Sequence, residues 1–398
     1  MATLGLGVLV LAPAAAAAEG HGFAGEPLTP GTNVQETTLV GSGLYTVPVA
    51  QGAEEQYVEV QRDDPDGTLW YGATALVPGS TRTTSPTLTL ESSPDGTGDS
   101  CVGYESLSST AGQSGIASEL FSTDHSAACR QADSVVLRTA GTDVPPGDFQ
   151  LLVWEEPAVT NEAMLPEKSL SVVWSPTAAD PDPQEVVAGR TFTDAPEVSG
   201  GTYAVHVDPG EPALLRVPLT WGQHAQVEAT STTRARGYAS VEARWFTPLG
   251  GTLGATAYSG GPEARDITLD GSGDPAGWVT PTVAWRNREG PAKQAPAAFA
   301  GDYYLSIDTA PEDVPSDGVD VTLTVATVTD YAPKPPEYAQ DPPPMPFVNG
   351  SSPGERATSS SAADSGTPPW PLVGGLFATA AAFAAAGAVL FLRRRANP

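Results

Sequence analysis

One residue in five of this chain is glycine or proline, 42 and 39 of 398. Breakers at that density leave no room for long helices through the middle of the chain and favour short strands joined by turns. Between the breakers the apolar residues alternate. In YAVHV, Tyr203, Val205 and Val207 share one face while Ala204 and His206 share the other. ASVEARW (239–245), YYLSI (303–307) and VTLTVATV (321–328) follow the same rule. Period two marks half-buried antiparallel strands. Turn signals such as DDPDG (63–67), SPDGTGD (93–99) and LGG (249–251) separate them.

The strand pattern occurs twice. GLYTVPV (43–49) and GTYAVHV (201–207) both read Gly-x-Tyr-x-Val-x-Val, and GDFQLLV (147–153) and GDYYLSI (301–307) both open on Gly-Asp-aromatic. Gly43 to Gly201 is an offset of 158, and Gly147 to Gly301 an offset of 154. Two anchors in the same order at nearly equal spacing suggest an internal duplication. They predict that Gly43 superposes on Gly201 and Gly147 on Gly301. Each copy, at roughly 130–150 residues, reads as a β-sandwich with its tryptophans and tyrosines in the core. The expected fold is mostly β: two jelly-roll-like sandwiches in tandem.

Both ends are hydrophobic. MATLGLGVLVLAPAAAAAEG carries the apolar run and small-residue cleavage pattern, near Ala16 to Ala18, of a secretory signal, although the positive n-region is missing. From Leu372 to Leu392 lie 21 uncharged residues, about 31 Å of helix and enough to cross a bilayer core. Trp370 stands at its outer edge, and Arg393, Arg394 and Arg395 place the tail inside by the positive-inside rule. Residues 331–370, Pro-rich and then Ser/Thr/Gly-rich, read as an extended, flexible stalk. The chain then divides into a signal peptide (1–18), a linker (19–34), a first sandwich (35–176), a linker (177–190) and a second sandwich (191–330). A stalk (331–370), a transmembrane helix (371–392) and a cytoplasmic tail (393–398) follow. These features predict a single-pass surface protein with its body outside the cell.

The two cysteines, Cys101 and Cys129, are expected to form one disulfide in an exported chain. The closed loop of about 29 residues would stabilise by about 3.6 kcal/mol in the chain-entropy treatment. Between them, residues 101–129 show little alternation and read as a long loop with one short helix near Ile116–Phe121, the feature that most distinguishes the two copies.

The net charge of −28 argues against nucleic acid as a partner. Neither H-E-x-x-H nor G-x-S-x-G occurs. His206 lies on the polar side of a strand and His224 in an apparent turn, so both read as surface histidines. Asp64, Asp66, Asp95 and Asp99 sit beside glycines at spacings a structural calcium ion could use, yet Asp-Gly is equally a hairpin signal. No other cofactor is implied. Seven tryptophans, Trp70, Trp154, Trp174, Trp221, Trp245, Trp278 and Trp285, could fill cores or form a sugar-stacking platform.

The plan of signal, acidic Gly/Pro-rich β region, stalk, Ala-rich span and arginine tail resembles a set of actinobacterial cell-surface proteins. GLYTVPV, GTYAVHV and the closing GDFQLLV and GDYYLSI are also similar to the β-modules appended to secreted bacterial proteins, including pre-peptidase C-terminal modules. That resemblance carries no catalytic residues. The chain as a whole reads as a membrane-anchored display module for a surface protein or wall polymer. A carbohydrate- or peptidoglycan-binding module is the alternative reading, and an unrecognised hydrolase a third.

Overall fold

The computed structural model describes residues 23–347 apart from 50–53, 78–86, 97–99, 109–114, 143–146, 169–171, 173, 175–176, 232–240, 254–255, 258–274, 290–296 and 310–313. The expected signal segment, residues 348–370 of the expected stalk, the apolar run at 371–392 and the arginine tail, with Trp370, Arg393, Arg394 and Arg395, lie outside the described residues. Among the described residues no helix is long and apolar enough to cross a membrane.

Ten strands form the first lobe: β1 (Glu26–Pro27), β2 (Thr38–Val40), β3 (Gly43–Pro48), β4 (Glu55–Gln61), β5 (Thr68–Val77), β6 (Thr87–Ser93), β7 (Val102–Ser108), β8 (Gly115–Ser122), β9 (Ser134–Thr142) and β10 (Asp148–Glu156). Ten more form the second: β11 (Gln184–Val186), β12 (Gly201–Val207), β13 (Ala213–Leu219), β14 (Gln223–Ser231), β15 (Val241–Phe246), β16 (Thr252–Leu253), β17 (Thr256–Ala257), β18 (Ala276–Val279), β19 (Gly301–Thr309) and β20 (Val319–Thr329). One short helix, α1 (Ala127–Arg130), joins β8 to β9.

The first lobe faces a sheet ordered β1-β3-β10-β5-β8 against one ordered β2-β4-β9-β6-β7. The second faces β11-β12-β20-β14-β18-β17 against β13-β19-β15-β16. With the main strands of each lobe numbered one to eight, both give 1-8-3-6 over 2-7-4-5, a jelly roll of two interlocked Greek keys. The register repeats as well. β1 runs parallel to β3 with Glu26 opposite Tyr45, and β11 parallel to β12 with Gln184 opposite Tyr203, each 158 positions on. The linkers expected at 19–34 and 177–190 are therefore partly sheet.

The first anchor of the repeat, Gly43 with Gly201, matches this equivalence; the second does not. β10 pairs with β3 by placing Asp148 opposite Pro48, and β20 pairs with β12 by placing Asp320 opposite His206. Gly147 thus corresponds to Val319, and Gly301 opens β19, the counterpart of β9. The shared opening is a local device. Tyr45 and Tyr203 turn back over the glycine two residues earlier, and Tyr303 makes the same backward bond. Each donates its hydroxyl to the carbonyl four residues earlier, Gly41 at 3.0 Å, Ser199 at 3.0 Å and Phe299 at 2.8 Å. A Cβ on Gly43 would stand 3.0 Å from the Tyr45 hydroxyl, whereas Gly201 and Gly301 hold φ of 154° and 151°, which side chains rarely adopt. Gly-x-Tyr thus marks strand starts where a tyrosine bonds backward, a device Gly301 shares with Gly43 and Gly201, while Phe149 after Gly147 has no hydroxyl for it.

Each lobe has its own apolar core. Val58, Tyr71, Leu137, Phe149 and Leu151 pack in the first, and Val205, Leu215, Val227, Trp245 and Trp278 in the second, where Tyr203, Tyr303, Leu305 and Ile307 also point inward. A third cluster lies between the lobes. Trp70, Leu152, Trp154, Ile116 and Leu120 come from the outer face of the first lobe, and Leu214, Phe246, Phe299 and Tyr304 from the second. The four sheets consequently stack as successive layers. Strands β8, β10 and β19, at the two sides of the seam, are buried on both faces.

That double burial explains a failed expectation. Residues 101–129 are not a long loop with a helix at Ile116–Phe121: they contain β7 and β8, and the helix is α1 further on. In β8, Ala117 and Phe121 enter the first core while Ile116 and Leu120 enter the seam, so no polar face remains to show period two. Residues 331–347 differ from expectation as well. They are not free stalk but a strap across the first lobe, ending with Phe347 buried in the seam.

Candidate functional site

The seam is where the two lobes and the strap meet. Its centre is Glu156, the last residue of β10, whose side chain is almost wholly buried. Strand β10 carries it there because Trp154 and Leu152, two and four residues earlier, face the seam on the same side. A buried carboxylate needs charge compensation and full hydrogen bonding. Glu156 obtains both from four donors. Arg288 forks onto it, Nη1 to Oε2 at 2.5 Å and Nη2 to Oε1 at 2.9 Å. The indole N–H groups of Trp70 and Trp285 donate at 3.0 and 3.1 Å. Tyr338 of the strap donates its hydroxyl at 3.2 Å. Burial, and then the negative charge of Glu156, pushes the Tyr338 phenol up, so it remains a donor throughout the ordinary pH range.

Arg288 is enclosed in turn. Its guanidinium lies 4.0 Å over the Trp285 ring, 5.5 Å from Trp70 and 5.7 Å from Phe299. Phe299 meets Trp70 edge-on at 4.8 Å and Trp154 at 5.9 Å. The 3-10 turn Trp285–Glu289, between β18 and β19, presents Trp285 and Arg288 together. Further along the seam Arg244 pairs with buried Asp308 at 2.7 Å, and Gly115 of β8 lies so close that a Cβ there would approach both within 2.8 Å.

The strap reaches the same place. Residues 337–339 pair with 158–160 through Thr160 N–H to Glu337 at 2.7 Å and Ala339 N–H to Ala158 at 2.8 Å. Asn161 binds Pro335 and Glu337, and the Trp154 indole donates to Pro343 at 2.9 Å. Phe347 then fills the aromatic pocket made by Phe192, at 4.9 Å, and Tyr304. Beside the clasp opens a cleft of about 600 Å³, bordered by Asp66, Asp124, Arg130, Glu162 and Glu289.

The residues singled out from sequence fall elsewhere. Cys101 and Cys129 are bonded and buried in the first core, with the Cys129 carbonyl held by Arg62 at 2.9 Å. Asp64 closes its own turn: its carboxylate takes the Asp66 N–H at 3.0 Å, while the Asp63 and Asp64 N–H groups bind Glu155. Asp95 sits in the bend after β6, and Asp99 lies outside the described residues. Among the described residues no three His, Cys, Asp or Glu side chains gather as a ligand set. His206 is half-exposed as expected and bonds Asp320 at 2.8 Å. His224 is not a turn or surface residue: it belongs to β14, is buried, and binds Asp330 at 2.7 Å. Its position near the strand end, beside Gly222, disguised it as a turn. Five of the seven tryptophans are buried, while Trp221 packs against the second core and Trp174 lies over Gly277.

No family model and no curated protein matches the chain. Among solved structures it is similar to the CBM22-1–CBM22-2 tandem domain of Paenibacillus barcinonensis Xyn10C, at 13% identity over 72% of this chain and 91% of that one, TM-score 0.20. It is also similar to the CUB1-EGF-CUB2 domain of human MASP-1/3, at 7% identity over 71% and 99%, TM-score 0.18. The PBSX exported protein XepA matches at 12% identity over 76% and 90%, TM-score 0.19. At such TM-scores these likenesses carry no argument for fold or function.

Proposed function

We propose that this chain is a membrane-anchored cell-surface protein whose two sandwiches act as one rigid, non-catalytic body for binding a partner protein or wall polymer. One observation carries the reading: the most buried acids are engaged in bonds that join structural elements. Glu156 joins both lobes and the strap, Asp308 pairs with Arg244, and Glu155 caps the turn at Asp63–Asp64. Groups held by such saturated bonding stabilise a fixed shape and are poorly placed to exchange protons with a substrate. The sugar-platform alternative loses support from the tryptophans, most of which fill the cores and the seam.

Photocrosslinking on intact cells, with the probe at exposed positions of either lobe, should capture a discrete surface partner. Truncation after Gly366 should release the body to the medium. Continued retention of that truncated chain would overturn the anchoring. Turnover of wall polymer by the purified chain, lost in a folded Glu156→Gln variant, would overturn the non-catalytic reading.

A further inference from the structure

We infer that residues 331–347 are a force-bearing strap that keeps the second lobe off the line of tension and transfers the load to it on release. The inference takes only the source of tension from the anchored reading; the device lies in how the chain is tied. The N-terminal end is fastened to the first lobe: Gln150 of β10 donates to Ala24 at 2.7 Å, and β1 runs beside β3. The strap, although it follows the last strand of the second lobe, is also fastened to the first. From Pro335 onward its polar bonds go to Ala158, Thr160, Asn161, Trp154, Glu156 and Asp64, while Tyr331, next to β20, donates to the Val283 carbonyl of the second lobe at 3.2 Å. Once Phe347 has left its pocket on the second lobe, tension between the two ends runs through the first lobe and into the strap, leaving the strands of the second lobe as a side branch.

Pulling from the C-terminal side loads the strap contacts one after another. Phe347 leaves its aromatic pocket first, then the Pro343 carbonyl leaves Trp154, and then the bridge at 337–339 opens. Bonds broken in sequence yield at lower force than bonds loaded together. Beyond the strap lies β20, which is paired along its length with β12 on one side and β14 on the other. That central strand does not peel, so the load stops there and passes into the second lobe. Release also removes Tyr338 from Glu156 and Phe347 from Phe192 and Tyr304, so the seam loses the strap's share of its packing while Arg288 still holds it.

The test is single-molecule stretching of the full-length chain with a DNA handle at each terminus, which needs no membrane. A reversible step should come before the unfolding of either lobe, with up to about 60 Å of contour for 17 residues at about 3.5 Å each. Val159 and Tyr338 face each other across the antiparallel bridge, a close pair suited to a disulfide. Oxidised Val159→Cys/Tyr338→Cys should shorten the step to about 30 Å, the length of residues 339–347. Phe347→Ala should lower the force of the step and keep its length. Absence of the early step, an unchanged step in the oxidised variant, or unfolding of the second lobe before it would each overturn the inference. Because capture of a partner plays no part in this measurement, its failure is separate from failure of the binding reading.

Discussion

The connection between the sixth and seventh strands of the jelly roll exists in both lobes and does opposite work in each. In the first lobe it runs from β8 through α1 to β9 and turns inward: Cys129 bonds Cys101, ahead of β7, and Arg62 holds the Cys129 carbonyl. In the second lobe the same connection, between β18 and β19, turns outward and sends Trp285 and Arg288 across the seam to Glu156. One fold position thus fastens a lobe to itself in one case and to its neighbour in the other. A jelly roll fixes its eight strands by pairing but leaves this crossing free to vary, and the division of labour follows from that freedom.

Breaking the outward clasp should have the largest effect. Glu156→Ala leaves Arg288 buried without its partner and strips an acceptor from two indoles, a loss on the order of 3–5 kcal/mol. Hydrogen exchange should show the damage on both sides of the seam, in β10 and β19 together. Protection lost in only one lobe would mean that the clasp does not couple them. Breaking the inward staple should come next and stay local. Cys101→Ala/Cys129→Ala should weaken the first lobe by about 3 kcal/mol, in line with the loop it closes, and leave protection of β12–β20 unchanged. If the second lobe lost as much, the two connections would not be independent.

The sequence made most strands of both lobes legible because one face met the core and the other solvent. It hid β8 because Ile116 and Leu120 are as apolar as Ala117 and Phe121, for a reason lying 130 residues away at Phe246 and Leu249. The strap was hidden for a different reason: PKPPEYAQDPPPMPF has no period to read, and its prolines equally suit an extended segment bound to a surface. The clasp left one clue, two consecutive glutamates closing an otherwise apolar strand, but Arg288 stands 132 positions on with nothing to mark it as the partner. Cysteines were legible because only two exist.

The tyrosine device offers a smaller comparison. Tyr303→Phe should cost about 1–3 kcal/mol, because the Phe299 carbonyl it binds is left without that donor in a buried setting. Tyr45→Phe and Tyr203→Phe, at less buried strand starts, should each cost about 1 kcal/mol or less. Equal losses at all three positions would show that the bond itself, and not its burial, sets the effect.

The smallest expected difference separates equivalent residues of the two lobes. Pro48 faces Asp148 in the first lobe, and His206 faces Asp320 in the second. The hydrogen bond to Asp320, outweighing partial burial and aided by the charges of Asp320 and Asp208, raises the His206 pKa above its ordinary value. A raised folded-state pKa makes this contribution fully present below about pH 6.5, and it is lost as pH rises through the folded-state value. His206 is half-exposed, so solvent screening holds the effect to a few tenths of a kcal/mol. Between pH 6 and 8 the second lobe should therefore lose slightly more stability than a His206→Asn variant does, and the difference should shrink in high salt. Position 48 offers no such group, so the same comparison with Pro48→Asn should show no pH-dependent difference. A difference of equal size there would assign the pH dependence to some group other than His206.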